Sequence, residues 1–189
     1  MEDGIGVVKD DPLEQRCQRL KLVLSDVDGV LTDGRVVLLP DGRETSAFHI
    51  RDGMGIVLAH RAGLDTGIIT GRLSAHVAQR ASQLNMAVVR QGISSKGVAL
   101  KEILHERGIE AHEVAYMGDD VNDLSVMRSV GLSGAPADAA FEVRAEAFMV
   151  TEARGGRGCF REFLEAILRA RQQWDQAVAS LSPERSPTE

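Results

Sequence analysis

Residues 21–29 read Lys21-Leu22-Val23-Leu24-Ser25-Asp26-Val27-Asp28-Gly29. A short apolar run bounded by polar residues is the pattern of a strand buried on both faces. Such strands belong to parallel sheets covered by helices on each side. The run stops at two carboxylates two residues apart. Aspartate also ends strands and caps turns, so this pair alone is as compatible with a structural role as with a chemical one.

Outward from this stretch the chain alternates. Residues 36–39 and 45–50 flank Pro40-Asp41-Gly42-Arg43, a turn signal, and predict a β-hairpin. Residues 52–62 have helical character and stop at Gly63. A second buried strand is predicted over 65–69, followed by Thr70 and Gly71. A helix over 73–84 leads to a strand over 86–89. Ser95 suits the N-cap of a helix over 95–107, and Gly108 its stop. Residues 113–117 make another strand, ending at Gly118-Asp119-Asp120-Val121-Asn122-Asp123. A short helix is predicted over 122–129, strands over 130–133 and 148–150 around a helix near Ala137, and a closing helix over 161–173.

Strands alternating with helices imply βαβ units. The expected fold is α/β: a single Rossmann-like domain, its parallel sheet carrying helices on both faces. A β-hairpin is inserted after the first strand. The interval from Asp28 to Thr70 has room for that hairpin and one helix, and none for a large cap. The domain is expected over 20–173. It follows an N-terminal extension (1–19) with one short helix from Leu13, and precedes a polar, proline-containing tail (174–189) expected to be disordered.

The chain has 189 residues, 43% apolar and 26% charged, the composition of one globular domain. No apolar run approaches the ~20 residues of a membrane helix. The acidic start Met1-Glu2-Asp3-Gly4 does not resemble a secretory signal, so a cytoplasmic location is expected. Cys17 and Cys159 are too few and too far apart for a disulfide framework or a zinc site. A net charge of −6 argues against a nucleic-acid partner, which would need a basic surface. A small anionic substrate remains possible where Arg, Lys or a metal gathers locally.

Ligands of parallel sheets bind beyond the carboxyl ends of the strands. Asp26 and Asp28, Thr70, and Asp119 and Asp120 all fall at such ends. A carboxylate can attack phosphorus and form an aspartyl-phosphate. Two carboxylates facing an anionic phosphate repel it, and a divalent cation bridging their oxygens removes the conflict. Thr70 can bind a phosphoryl oxygen, or simply cap a helix. Lys96 opens a helix, where a positive charge opposes the helix dipole, so a partner anion is expected. Each feature is weak alone; their order along the chain is not.

That order is DVDGVLTDG, then IITGR, then Lys96, then GDDVND. It resembles the haloacid dehalogenase superfamily, and within it the small capless phosphatases of 3-deoxy-sugar-acid phosphates. FHIRDGMG (48–55) and Gly155-Gly156-Arg157-Gly158 extend the resemblance over roughly 22–164. It implies a magnesium enzyme in which Asp26 is nucleophile and metal ligand. Asp28 would be the general acid and base and give its backbone carbonyl to the metal. Thr70 and Lys96 would hold the phosphoryl group, and Asp119 would complete the protein ligands. Asp120 and Asp123 would stand behind them. Arg51, Asp52, Gly53, Arg72, Arg80 and Asn122 are implied substrate contacts; Arg157 is either a further one or part of a plain loop. The implied substrate is a 2-keto-3-deoxy sugar acid phosphate, first of all 3-deoxy-D-manno-octulosonate 8-phosphate. KDN or N-acetylneuraminate 9-phosphate is the alternative, since Val57 stands where family members tend to carry a basic residue. Residues 131–139 also resemble a non-catalytic module of CMP-sialate synthetases. Lipopolysaccharide, capsule and sialic-acid-type synthesis all use such acids. Capless members form tetramers through the hairpin, so a homotetramer is expected. Of the five histidines, only His49 adjoins the implied substrate loop.

Overall fold

The computed structural model describes residues 12–42 and 44–181. A helix, α1 (Leu13–Arg19), precedes strand β1 (Leu22–Ser25). The hairpin follows as β2 (Val37–Leu38) and β3 (Glu44–Thr45). Then come α2 (Ile50–Arg61), β4 (Asp65–Ile69), α3 (Ala75–Gln83), β5 (Val88–Arg90) and α4 (Lys96–Arg107). β6 (Val114–Met117) leads through a 3-10 turn (Val121–Asp123) into α5 (Leu124–Met127). β7 (Leu132–Ala135), α6 (Phe141–Glu146), β8 (Met149–Val150), α7 (Cys159–Ala170) and α8 (Trp174–Ala179) complete the described chain.

Six strands form one parallel sheet in the order β5-β4-β1-β6-β7-β8. β1 lies at its centre, which is why its four residues are all buried. Alternation sends its side chains to two cores. Val23 joins Ile68, Ala115 and Leu132 under α2 and α7. Leu22 and Leu24 join Ile69, Val114 and Tyr116 under α4. Register then fixes the site. Ser25 is level with Ile68 on β4 and with Met117 on β6, so Asp26, Thr70 and Asp119 emerge side by side at one edge. The order of β4, β1 and β6 reverses direction around β1, the place where open α/β sheets bind ligands.

Four expectations need correction. The hairpin ladder is only two residues per strand, and its second arm does not run to Ile50. Ser46 leaves the ladder to hydrogen-bond His76, and Ile50 already opens α2. The helix expected near Ala137 begins at Phe141. Residues 136–139 instead make a turn whose Asp138 accepts from Gly155 N–H at 2.9 Å. The strand placed over 130–133 is shifted to Leu132–Ala135. The tail expected to be disordered from 174 contains α8. There Trp174 receives the Arg161 and Arg169 guanidiniums, 4.7 and 5.0 Å from its ring centre, and Ala177 is buried. Residues 1–11 and 182–189 lie outside the described chain.

Candidate active site

Asp26 leaves the sheet with its N–H bonded to Met117 O at 2.9 Å, and its Oδ1 accepts from Val27 N–H at 2.7 Å. Lys96, the first residue of α4, points its ammonium between two carboxylates. It lies 2.9 Å from Asp26 Oδ2 and 2.7 Å from Asp123 Oδ1. All three side chains are buried. The helix-opening lysine thus has two partner anions. Burial alone would lower the Lys96 pKa; Asp26 and Asp123 outweigh it, and the net shift is upward.

Asp123 organises the cluster. Its Oδ1 accepts from Lys96 and from the Tyr116 hydroxyl at 2.5 Å, and its Oδ2 from the backbone N–H groups of Asp119 and Asp120 at 3.0 and 3.3 Å. With both oxygens engaged, Asp123 holds the Gly118–Asp120 turn in shape and keeps Lys96 aimed at Asp26. Tyr116 lies on β6 and is fully buried. Sequence reasoning missed it, because nothing in an apolar strand marks the one hydroxyl that reaches the neighbouring turn.

Asp26, Asp119 and Asp123 each bring one carboxylate oxygen within 4.8 Å of the others. Burial, then Asp26 and Asp123, push the Asp119 pKa up to about 8. Burial, opposed by Lys96 and assisted by Asp123, raises Asp26 to about 6. Asp119 Oδ1 is buried with no hydrogen-bond partner. Ionising all three carboxylates against the one ammonium of Lys96 would leave two negative charges in the cluster. An oxygen-liganded divalent cation matches that charge and would give the orphaned oxygen a partner. The residues present fit magnesium.

Gly29 sits against this cluster at φ +89°, and a Cβ there would lie 1.9 Å from Asp119 Oδ2. Only glycine lets the loop after β1 pass so close. The Gly155–Gly158 loop clamps that loop from outside. Gly156 N–H and Cys159 Sγ both donate to Val30 O, at 2.9 and 3.2 Å, and a Cβ on Gly155 would meet Gly29 O at 2.0 Å.

Asp28, Thr70 and Arg72 line one cavity under the hairpin. Thr70 is buried, and its Oγ1 accepts from Arg72 N–H at 3.3 Å, which leaves the hydroxyl proton free to donate. Arg72 Nε lies 3.8 Å from Asp28 Oδ2, and its guanidinium pairs with Glu44 on β3. His76 bridges Ser46 Oγ (2.8 Å) and Ser74 Oγ (2.9 Å). Glu44, Ser46 and His76 were not singled out in the sequence; only the folded hairpin brings them to the cavity.

The other expected contacts are placed differently. Asp52 is buried, and its Oδ1 accepts from Arg161 N–H at 2.8 Å, so it serves the start of α7. Gly53 leaves room for Arg80, whose Nη2 would be 2.6 Å from a Cβ there, while Arg80 Nη1 reaches Gln83 at 3.5 Å. Arg51 and Asn122 are exposed. Asp120 is exposed and accepts from Val121 N–H, capping the 3-10 turn. Arg157 is exposed, 3.9 Å from Asp33.

The family model for haloacid dehalogenase-like hydrolases matches residues 68–158. The 3-deoxy-D-manno-octulosonate 8-phosphate phosphatase KdsC of Yersinia pestis is 41% identical over 173 residues, covering 92% of each chain. The chain belongs to the haloacid dehalogenase-like hydrolases. Two solved relatives share its fold. The same phosphatase from Yersinia pestis superposes with a TM-score of 0.84 at 40% identity, covering 86% of this chain and 88% of that one. The Moraxella catarrhalis phosphatase, solved with magnesium, phosphate and KDO, gives 0.87 at 36% identity over 90% and 98%. Among the described residues no helix is long and apolar enough to cross a membrane.

Proposed function

We propose that the protein is a magnesium-dependent phosphatase that hydrolyses 3-deoxy-D-manno-octulosonate 8-phosphate through an aspartyl-phosphate on Asp26. The observation that carries this reading is the buried Asp26–Lys96–Asp123 cluster beside Asp119, at the edge where β1 and β6 end. The relatives named KdsC, and the one solved with KDO, support the choice of sugar. In this reading Asp26, Asp119 and the Asp28 carbonyl hold magnesium, which when bound neutralises the phosphoryl oxygens and the attacking carboxylate.

The remaining steps belong to the chain. Lys96 holds Asp26 Oδ2 and offers its charge to the phosphoryl group. The Thr70 hydroxyl donates to a phosphoryl oxygen. Asp26 forms the new O–P bond as the ester O–P bond breaks, and Asp28 gives its proton to the leaving sugar oxygen. Asp28 then takes a proton from water, whose oxygen attacks phosphorus, releasing phosphate and regenerating Asp26.

A non-catalytic role, known in a related module whose acidic positions are eroded, is not supported, since Asp26, Lys96 and Asp119 are assembled here. The reading includes a homotetramer, supported by the exposed hairpin residues Val37 and Leu38, and a cytoplasmic location, which two buried free cysteines suit. Phosphate release with magnesium, compared over 3-deoxy-D-manno-octulosonate 8-phosphate, KDN 9-phosphate and N-acetylneuraminate 9-phosphate, tests it. Preference for the eight-carbon acid by about tenfold or more in kcat/KM, about 1.4 kcal/mol, supports the reading. A tie, or preference for a nine-carbon acid, overturns the choice of substrate.

A further inference from the structure

The cavity under the hairpin joins Asp28, Thr70 and Arg72 to Glu44 and Arg35. Among the described residues, the arginines that line it are Arg35 and Arg72. Arg72 is already engaged: Glu44, from the return strand of the hairpin, pairs with its Nη2, and its Nε is 3.8 Å from Asp28. A second tie fastens the same hairpin arm to the same segment, from Ser46 to His76. His76 is itself fixed by Ser74, the N-cap of α3, whose N–H donates to Gln91 at 2.8 Å. Glu44 is therefore held against Arg72 by the way the hairpin folds back, and not by a chance surface encounter.

We propose that Glu44 is a stand-in for the substrate's carboxylate, occupying Arg72 until a sugar acid phosphate displaces it, so that Arg72 sets the preference for acids over neutral sugar phosphates and Glu44 holds that preference down. The inference rests on the function proposed above. Three observations support it. First, Glu44 and Arg72 are both nearly half exposed, at 44% and 46%. Exposed pairs of this kind are worth about 0.2–1 kcal/mol, so the stand-in is weakly held. Second, a substrate anchored by its phosphoryl group at Asp26 and Thr70 presents its carboxylate at high effective concentration. A guanidinium also takes a carboxylate through two parallel hydrogen bonds. Third, the charges are complementary. Glu44 offsets Arg72 in the free cavity, and displacing it leaves that guanidinium for one carboxylate. A neutral sugar phosphate makes no demand on Arg72 and binds with Glu44 left in place.

The test is a double-mutant cycle with Glu44→Gln and Arg72→Gln. kcat/KM is measured on 3-deoxy-D-manno-octulosonate 8-phosphate and on arabinose 5-phosphate, which has no carboxylate; their ratio is the readout. Glu44→Gln removes the competitor and should raise the ratio by a factor of about 1.4 to 5, the exposed-pair energy expressed as a factor. Arg72→Gln should lower the ratio about tenfold or more, and in that background Glu44→Gln should have no effect on it. An effect of Glu44→Gln that is equal on both substrates, or that persists without Arg72, overturns the stand-in. A ratio insensitive to Arg72→Gln but lowered by Arg35→Gln assigns the carboxylate to Arg35 and overturns it too. Failure of the functional reading looks different: the unaltered protein, with magnesium, would release phosphate from p-nitrophenyl phosphate but not from the sugar acid phosphate, and both proposals would fall.

Discussion

Both Asp26 oxygens accept, Oδ2 from Lys96 and Oδ1 from Val27 N–H, and an asparagine can keep only one of these bonds. Asp26→Asn also removes one of three crowded carboxylates, which offsets that loss, so the variant should still fold without metal. Turnover should vanish, since an amide oxygen cannot be the nucleophile. Phosphate release retained at about a hundredth of the wild-type kcat would refute the assignment. The same crowding predicts a pH dependence. Asp119 and Asp26 titrate near 8 and 6 in the metal-free fold, against 3.8 for a free aspartate. Raised carboxylate pKa values mean that the fold holds these protons more tightly than the unfolded chain does. Their contribution to stability is fully present below pH 3.8 and is lost as pH rises through 6 and 8. Magnesium must displace those protons, so the increase in Tm on adding it should be small near pH 5.5 and largest above pH 8. An increase independent of pH would mean that the metal does not bind at Asp26 and Asp119. Much of this was legible in the sequence, because strand-end aspartates and a helix-opening lysine are local signals. The placing of Asp52 was not legible for a physical reason: the sequence gives no sign that its carboxylate serves the start of a distant helix until Arg161 N–H is seen to reach it.

At the scale of elements, the site depends on one loop holding another. The Gly155–Gly158 segment adds no charged group to the buried cluster, yet Val30 O accepts from both Gly156 and Cys159. Gly155→Ala would place a methyl group 2.0 Å from Gly29 O. The loop bearing Asp28 would have to shift, and misplacements of about 1 Å can cost about 100-fold in rate. The expected result is a folded protein with kcat lowered about tenfold or more, and unchanged helical content by circular dichroism. Unaltered kcat would show that the clamp is dispensable. The sheet and its helices were readable from periodicity, since β1 and β6 are short apolar runs and β4 ends in Ile68-Ile69. The hairpin's true length was not. Residues 45–50 follow a turn signal as the second arm of a hairpin does, but the pairing stops at Thr45 and the Ser46 side chain turns to His76. α8 escaped detection because a short helix owes its stability to Trp174 between two guanidiniums, contacts invisible in a polar-looking tail.

At the scale of the whole molecule, the hairpin sets the remaining question. Its side chains Val36, Val37 and Leu38 are 45%, 50% and 69% exposed, and Leu73 beside the cavity is 85% exposed. A two-stranded ribbon is at best marginally stable in water, and a row of aliphatic side chains on it invites covering. The surface carrying them adjoins the cavity that holds Arg72 and Asp28. A second copy seated there would shield the apolar row and narrow the entrance to the site together. Val37→Glu with Leu38→Glu places two charges on that surface without touching the buried cluster. Light scattering should then report a monomer, against the tetramer expected of the unaltered protein, and kcat/KM for the sugar acid phosphate should fall. A monomeric variant with full activity would mean that assembly protects the hairpin but does not complete the pocket. An unaltered protein that is already monomeric at micromolar concentration would refute the tetramer itself.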